Sequence, residues 1–269
     1  GLGVAAGPSL GIALGGAIAA TYGWRMAFIA IGLPGVLVSL AVLLLIREPR
    51  AAKSRPPIAT PPLLETIRLF AANPTLAWTA CTAALSAFVG YGSSSWTAAF
   101  LMRERGMSLA EGAAYFSLTS GVAAVSGMFL SGWLVDRWAK RSPRAYALVP
   151  GLAFLLAAPC LLAAVWAPDW RWSLLFLFPA SLCLNTFLAP AVTIVQNAVA
   201  PERRAASSAI LLFTLNLIGL GGGPVYVGMI SDHFGSLALG LSALAPVAVL
   251  TMLAQYMASR TFRPVAAEG

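Results

Sequence analysis

Long runs of apolar residues, separated by short polar bends, divide this chain of 269 residues into eight segments. An α-helix needs about 20 apolar residues to cross a bilayer, and each run is about that long or longer. The runs are too long, and alternate too little, for the roughly ten-residue strands of an outer-membrane barrel. The pattern therefore predicts an all-α, polytopic membrane protein with transmembrane helices at about 1–22, 25–46, 75–101, 108–135, 145–166, 172–199, 205–231 and 236–259.

The composition agrees with a membrane location. Hydrophobic residues make up 59% of the chain and charged residues only 10%, whereas a soluble domain has about 25% charged residues. Cys81, Cys160 and Cys183 each lie inside an apolar run, where free cysteine packs as a small hydrophobe. We therefore expect no disulfide, no metal site and no cofactor. An enzyme is not expected either, because the single histidine, His233, has no nucleophile or metal cluster beside it.

The basic residues lie in the bends, so the net charge of +8 indicates membrane orientation rather than nucleic-acid binding. When alternate bends are assigned to opposite sides, most of the 17 basic residues fall on one side, which the positive-inside rule predicts to be cytoplasmic. That side holds Arg47, Arg50, Lys53, Arg55, Arg68, Arg137, Lys140, Arg141, Arg144, Arg203, Arg204, Arg260 and Arg263. The other side holds Arg25, Arg103, Arg105 and Arg171, with Glu104 and Glu111 expected to be solvated there. We expect a multi-pass protein of the plasma membrane, specifically a bacterial inner membrane, with both ends cytoplasmic.

The longest connection, residues 47–74, is predicted to be a cytoplasmic linker. Its first part is basic and proline-rich, which is typical of an extended segment. Apolar residues then recur at helical spacing, at Leu63, Leu64, Ile67 and Phe70. This pattern predicts a short helix that lies on the membrane surface or, alternatively, binds a soluble partner.

Polar side chains inside the spans are the candidates for substrate binding. The third span carries a stripe of small polar residues on one helical face, which either lines a water path or packs against another helix. The stripe comprises Thr75, Thr79, Thr82, Ser86, Gly90, Ser93 and Thr97. Amides at mid-depth are costly unless paired, so they contact either substrate or another helix. The predicted substrate-binding residues are Ser86, Tyr91, Ser94, Asn185 and Asn216.

Two glycine-rich motifs indicate an internal repeat. Span one begins with GLGVAAGP, span seven contains GLGGGP, and their matching residues lie 216 positions apart, which equals six spans. The matching residues are Gly3, Gly7 and Pro8 in span one, and Gly219, Gly223 and Pro224 in span seven. A six-span repeat is typical of transporters built from two parallel halves. The motifs serve either close helix packing or hinge motion.

The same motifs resemble those of the major facilitator superfamily. GVAAGPSLGIALGG in span one is similar to the family's fifth-helix motif, and GWLVDRWAKR is similar to its G-x-x-x-D-R-x-G-R-R loop. Ala139 stands where that loop usually has glycine. The resemblance implies helices five to twelve of a twelve-helix, two-bundle fold. Residues 1–46 would then be the last two helices of the N-terminal half, and residues 75–263 the C-terminal half.

Two further stretches, SSSWTAAFLMRERGMSLAEGA and AVAPERRAASSAILLFTLNLIGLGGGPVYVGMISD, resemble the spinster-like branch of that family. Known members of the branch move sphingosine phosphate and lysophospholipids. The resemblance thus implies secondary-active transport of small or lipid-like molecules by alternating access, with protons or Na⁺ as possible coupling ions and membrane lipids as partners. An organic-anion or drug transporter, or a transport-inactive truncated protein, is the alternative.

The family resemblance also implies which residues take part in gating. Asp136 is expected to approach the start of span one, where free N–H groups carry partial positive charge, and to form a latch when the cytoplasmic side closes. The complete set of expected gating residues is Gly132, Asp136, Arg137, Arg141, Gly7, Pro8, Gly223 and Pro224. Topology charges in a wet loop are the alternative interpretation. No ionised side chain falls near mid-membrane in any span, so either a coupling group is expected in helices upstream of this chain or transport is uncoupled.

Overall fold

The computed structural model describes residues 2–45 and 63–262, which form nine helical rods and no strand. We number the rods α1 (Leu2–Tyr22), α2 (Trp24–Leu45), α3 (Leu63–Ala72), α4 (Pro74–Glu104), α5 (Leu109–Ala139), α6 (Ala145–Val165), α7 (Trp170–Ala198), α8 (Pro201–Phe234) and α9 (Leu237–Thr261). Three rods contain irregularities that bear on function. α5 and α8 include π-helical turns at Gly112–Phe116 and Asn216–Leu220, and α7 is broken between Leu184 and Leu188.

Eight of these rods correspond to the eight predicted spans, and the all-α membrane fold is confirmed. Six of the described rods are long and apolar enough to cross a bilayer, namely α2 and α5 to α9. α1 and the more polar, 31-residue α4 occupy the other two predicted positions. Cross-helix contacts agree with the alternation of ends, because Thr75 meets Thr261 at one end and Glu104 meets Leu237 at the other. We call these the basic end and the outer end.

The turns between rods have local causes. At the basic end, the Asn73 side chain accepts a hydrogen bond from the Thr75 N–H, and Pro74 occupies the first helical position of α4. At the outer end, Gly106 and Gly235 adopt positive φ angles of 69° and 68°, which glycine tolerates without a steric penalty. These residues fix where α4 begins and where α4 and α8 end.

The rods α4 to α9 form one bundle around a shared apolar core. α9 packs on α6 and α4, α7 packs on α6 and α5, and α8 packs on α4. The core includes Val89, Phe100, Phe154, Leu161 and Leu244, all almost fully buried. α1 contacts this bundle through α5, and α2 packs on α1. Most large side chains of α2 are exposed, as expected for a helix that faces lipid or a further helix.

The linker prediction falls only partly within the described residues. The predicted short helix is present as α3, whereas Arg47, Arg50, Lys53 and Arg55 lie outside the described residues. α3 packs on α4 and α8, at the basic end of the bundle. The four apolar residues that predicted it do not share one environment, because Phe70 is buried while Leu64 and Ile67 are exposed.

Candidate functional site

The structure brings two predicted binding residues together across α4 and α8. The Tyr91 hydroxyl donates a hydrogen bond of 3.4 Å to the side-chain oxygen of Asn216. The Asn216 amide nitrogen in turn donates to the Leu212 carbonyl over 2.8 Å, which orients the side chain. Asn216 begins the π-helical turn of α8, a local irregularity that is frequent at functional sites. Asn216 is exposed and Tyr91 half-buried, so the pair lies on an open face of the bundle.

Ser94 lies on the same open face, one turn along α4. It is exposed, and its hydroxyl donates to the Tyr91 carbonyl of its own helix over 3.3 Å. Ser94 therefore adds a hydroxyl beside the Tyr91–Asn216 pair without forming a link to another helix.

Close contacts at Gly219 and Gly223, which we call the glycine seam, join α8 to α4 near this pair. Gly223 packs directly on the Phe88 carbonyl, and a Cβ added to Gly219 would lie 2.5 Å from the Cβ of Ala87. Further along, the Trp96 indole N–H donates to the Pro224 carbonyl over 2.8 Å. The motif of span seven thus permits close helix approach, which is the packing role considered for it. Its role as a hinge remains a prediction.

Asn185 marks the break in α7. Its amide nitrogen donates to the Ser181 carbonyl over 2.8 Å, and the chain leaves the helix until Leu188. The Ser131 hydroxyl of α5 donates to the Thr186 carbonyl over 2.7 Å, so a neighbouring helix satisfies one of the freed carbonyls. Asn185 is half-buried, and Ala189 and Gln196, further along the same stripe, are exposed. This stripe faces outward from the packed core, and non-helical backbone is typical of transporter binding sites.

Ser86 does not lie on the open face that carries Tyr91, Ser94 and Asn216. It is fully buried, and its hydroxyl oxygen has no hydrogen-bond partner among the described residues. The other hydroxyl-bearing members of its stripe are buried too, since Thr79, Thr82 and Ser93 are each less than 10% exposed, and Gly90 is half-buried. The stripe packs against neighbouring helices and does not line a water path in this conformation. Ser86 is therefore closed off from substrate in this conformation, and its role in binding stays a prediction.

The predicted gating residues of α5 lie at its basic end. Asp136 is exposed, and among the described residues it accepts no hydrogen bond and forms no ion pair. The Arg137 guanidinium lies 5.8 Å from the centre of the Trp133 ring. Arg141 is exposed in the bend after α5, and a Cβ at Gly132 would meet no atom within 4 Å. The latch is thus not formed with any described residue.

A cleft lies beside the contact between α1 and α5. Near the outer end the two rods touch, because a Cβ at Gly16 would lie 2.7 Å from the Cβ of Ala113. A Cβ at Gly7 or Gly11, on the face of α1 that carries Gly15 and turns toward α2, would meet nothing within 4 Å. The side chain of Pro8 lies outside the described residues. The cleft measures about 850 Å³, and its lining includes Leu10, Ala13, Leu118, Val122 and Val125.

Sequence reasoning missed two charged residues that organise the outer end. The sequence predicts a solvated Glu104, but its carboxylate accepts hydrogen bonds from the Leu237 and Ala238 N–H groups. The Arg105 guanidinium donates to the Val165 carbonyl over 2.6 Å and lies 5.1 Å from the Phe100 ring centre. The hydrogen-bond partners of Glu104 and Arg105 lie far away in the sequence. The sequence signal for these contacts is therefore limited to two adjacent opposite charges at the end of α4.

The lining of the cleft and of the open face carries no charged side chain among the described residues. Asp, Glu, Lys, Arg and His lie at the ends of the described spanning rods. Within residues 2–45 and 63–262, no three metal-binding side chains come together. The arrangement offers hydroxyl, amide and apolar contacts.

Several curated proteins are similar to this chain in sequence. An MFS-type efflux pump of Mycolicibacterium smegmatis is 33% identical over 256 residues, covering 93% of this chain and 59% of that protein. Protein spinster homolog 3 of Danio rerio is 26% identical over 246 residues, covering 84% of this chain and 49% of that protein. The chain thus spans about half the length of these curated relatives.

A solved structure also resembles this chain in fold. A bacterial homolog of the human lysosomal transporter Spinster, in an inward-facing and unoccupied conformation, is 27% identical and has a TM-score of 0.85. The alignment covers 99% of this chain and 71% of that structure. The profile of the Major Facilitator Superfamily matches residues 1–222. The chain therefore belongs to the Major Facilitator Superfamily and is similar to its spinster-like members.

Proposed function

We propose that this chain works as part of a secondary-active transporter that moves amphipathic, lipid-like molecules across a membrane by alternating access. In this proposal α1 and α2 are the last two helices of the N-terminal half, and residues 75–263 are the C-terminal half. Residues 47–74 join the halves on the cytoplasmic side. The packing supports this division, because α1 reaches the bundle of α4 to α9 mainly through α5.

The cleft between α1 and α5 is the observation that carries the proposal. Its volume of about 850 Å³ lies within the range of small-molecule sites. Its lining is mostly alanine, valine and leucine, and the polar groups there are the hydroxyls of Thr21, Ser117 and Ser126. Such a lining favours an acyl chain or another apolar tail, because burial of apolar surface is its main source of binding energy.

The Tyr91–Asn216 pair, on the open face of α4 and α8, offers polar contacts apart from the cleft lining. A lipid-like molecule has a polar headgroup that needs hydrogen-bond partners when it leaves water. The exposed amide of Asn216, with the hydroxyls of Tyr91 and Ser94 beside it, offers donors and acceptors without a fixed charge. This chemistry suits a neutral or zwitterionic headgroup better than a strongly anionic one.

The likeness to a solved inward-facing structure supports an inward-open state. The Asp136 carboxylate is exposed and pairs with no described residue, as expected when the cytoplasmic gate is open. The inward-facing conformation of the bacterial Spinster homolog with a TM-score of 0.85 agrees with this proposal.

A second candidate is efflux of drug-like organic molecules. The observation that favours it is the 33% identity to an MFS-type efflux pump, which exceeds the 26% identity to spinster homolog 3. In both candidate functions the substrate binds in the same apolar cleft. A transport assay with each substrate class is therefore needed to distinguish them. If the protein moves neither class, it is transport-inactive, the remaining alternative.

Liposomes that contain the full-length protein test both candidates. We would compare uptake of a fluorescent lysophospholipid, an organic anion and a hydrophobic cation, each with and without a pH gradient. Val122→Trp fills the cleft and should strongly reduce lysophospholipid transport, whereas Val225→Trp, at an exposed site on α8, should not. Transport of the anion alone, or equal effects of the two variants, contradicts the lipid proposal. A pH-gradient dependence would indicate proton coupling through a group outside the described residues.

A further inference from the structure

The short helix α3 has two apolar faces on opposite sides. One face points into the bundle, where Thr66 is fully buried and Phe70 is only 7% exposed. The other face presents Leu64, 58% exposed, and Ile67, 47% exposed, together with the exposed Ala71. A helix that faces water on its free side normally carries polar residues there. The second apolar face of α3 therefore requires an apolar or interfacial neighbour.

The buried face is firmly attached to the bundle. Phe70 packs in a cluster with Leu76 of α4 and with Leu211 and Leu215 of α8. Tyr91 borders the same cluster, so α3 shares a core with the helices that carry the polar pair. On the flank of α3, Glu65 forms an ion pair of 2.5 Å with Arg203, at the start of α8. Two kinds of contact thus hold α3 in a defined orientation.

The position of α3 indicates what covers its free face. Asn73 alone separates Ala72, the last residue of α3, from Pro74, the first residue of the spanning rod α4. α3 therefore lies where the bundle leaves the bilayer. Arg68 is exposed beside Leu64 on the free face, and the exposed Arg204 and Arg260 lie at the same end. Basic residues next to an apolar face are typical of helices that lie in the headgroup region of anionic membranes.

We propose that the free face of α3 docks on the surface of an anionic lipid leaflet. Leu64 and Ile67 enter the boundary between headgroups and acyl chains, and Arg68 contacts phosphate groups. Since Phe70 and the Glu65–Arg203 pair fasten α3 to α4 and α8, docking ties the basic ends of these two helices to the membrane surface. The proposal does not depend on which substrate the transporter moves.

Spin labels on the full-length protein in vesicles test this proposal. We would attach nitroxides at Leu64→Cys and Ile67→Cys, with Lys140→Cys, in the exposed bend after α5, as the control. Lipid docking predicts collision with oxygen at positions 64 and 67 and collision with a water-soluble nickel chelate at position 140. Labels at 64 and 67 that collide mainly with nickel would show a water-facing helix, and labels shielded from both reagents would show a protein-covered face. Either result overturns the proposal.

The lipid composition tests the electrostatic part. Vesicles of phosphatidylcholine alone should give shallower labels at positions 64 and 67 than vesicles that also contain phosphatidylglycerol. Arg68→Gln should lower the ratio of docked to undocked helix in phosphatidylglycerol vesicles about fivefold, the factor expected for one basic residue near an anionic surface. Equal depth in both lipids, or no change with Arg68→Gln, overturns the assignment of an anionic partner. None of these readouts requires transport, so they stand or fall separately from the proposed function.

Discussion

The Glu104 carboxylate, at the end of α4, accepts a hydrogen bond of 2.5 Å from the Leu237 N–H, at the start of α9. The neighbouring Ala238 N–H donates to the same carboxylate over 3.3 Å. The next residue, Arg105, donates to the Val165 carbonyl near the end of α6. An acid thus faces a helix N-terminus and a base faces a helix C-terminus, which is the favourable arrangement for both helix dipoles. Two consecutive residues thereby join the outer ends of three helices.

Replacing Glu104 by glutamine should destabilise the bundle. The Glu104→Gln side chain would keep one oxygen acceptor but lose the negative charge at the α9 N-terminus, an interaction worth about 0.3–2 kcal/mol. We expect a lower melting temperature for the purified protein in detergent. Asp232→Asn is the control, since Asp232 is exposed near the C-terminal end of α8 and makes no hydrogen bond or ion pair with the described residues. Equal melting temperatures for the two variants would show that the Glu104 contacts contribute nothing measurable.

The glycine seam predicts opposite effects for two neighbouring residues of α8. Gly223→Ala would drive a methyl group into the Phe88 carbonyl, while a Cβ at Gly221 meets nothing within 4 Å. Overpacking of this kind costs about 1–3 kcal/mol, whereas alanine in place of an unhindered helical glycine stabilises by roughly 0.5–1 kcal/mol. Thermal unfolding should therefore give a lower midpoint for Gly223→Ala and an equal or higher one for Gly221→Ala. A normal midpoint for Gly223→Ala would contradict the close contact.

The Tyr91–Asn216 hydrogen bond should be detectable as an energetic coupling in substrate binding. Tyr91→Phe removes the donor hydroxyl, and Asn216→Leu removes the acceptor, so each single variant should weaken binding of a fluorescent lysophospholipid. A double-mutant cycle should return a coupling of about 0.5–1.5 kcal/mol, the usual value for one neutral hydrogen bond. Tyr256→Phe is the control, because the exposed Tyr256 of α9 has a hydroxyl that forms no hydrogen bond with the described residues. Additive effects of the two substitutions would rule out a functional role for this bond.

Periodicity and charge in the sequence predicted the spans, their alternation and, as one of two possible roles, the close approach of the glycine motif in span seven. These features are local, because they depend on run length, on the position of basic bends and on residues three or four apart. The environment of Ser86 was not predictable, since a stripe of small polar residues serves a water path and a helix contact equally well. The partners of Glu104 were not predictable either, because Leu237 lies 133 residues away.

The contact that stabilises the break in α7 could not be predicted from the sequence either. Pro179 and Pro190 flank the break, and Asn185, a predicted binding residue, lies at its start. The bond from Ser131 of α5 to the Thr186 carbonyl, which compensates the lost helical hydrogen bonding, depends on how α5 packs against α7. Only the assembled bundle reveals such a contact.

The charge on Asp136 should bias the transporter toward closure of its basic end. In this structure Asp136 is exposed and pairs with no described residue, which is the arrangement expected when the latch is broken. In the closed state the carboxylate should meet the start of α1 and gain about 0.3–2 kcal/mol from the helix N-terminus. Asp136→Asn should remove most of that gain and shift the population toward the state that is open at the basic end.

Double electron–electron resonance across the basic end, between labels on α1 and α5 of the full-length protein, measures this shift. At a loss of about 1.4 kcal/mol the ratio of closed to open states falls tenfold, which is a clear change in the distance distribution. Asp232→Asn is the matched control, because Asp232 is an exposed acid at the outer end of α8 and its substitution makes the same chemical change away from the gate. If both variants give the distribution of the unmodified protein, Asp136 is a topology charge in a wet loop rather than a latch. If both variants shift the distribution equally, the effect comes from net charge and not from the α1 terminus.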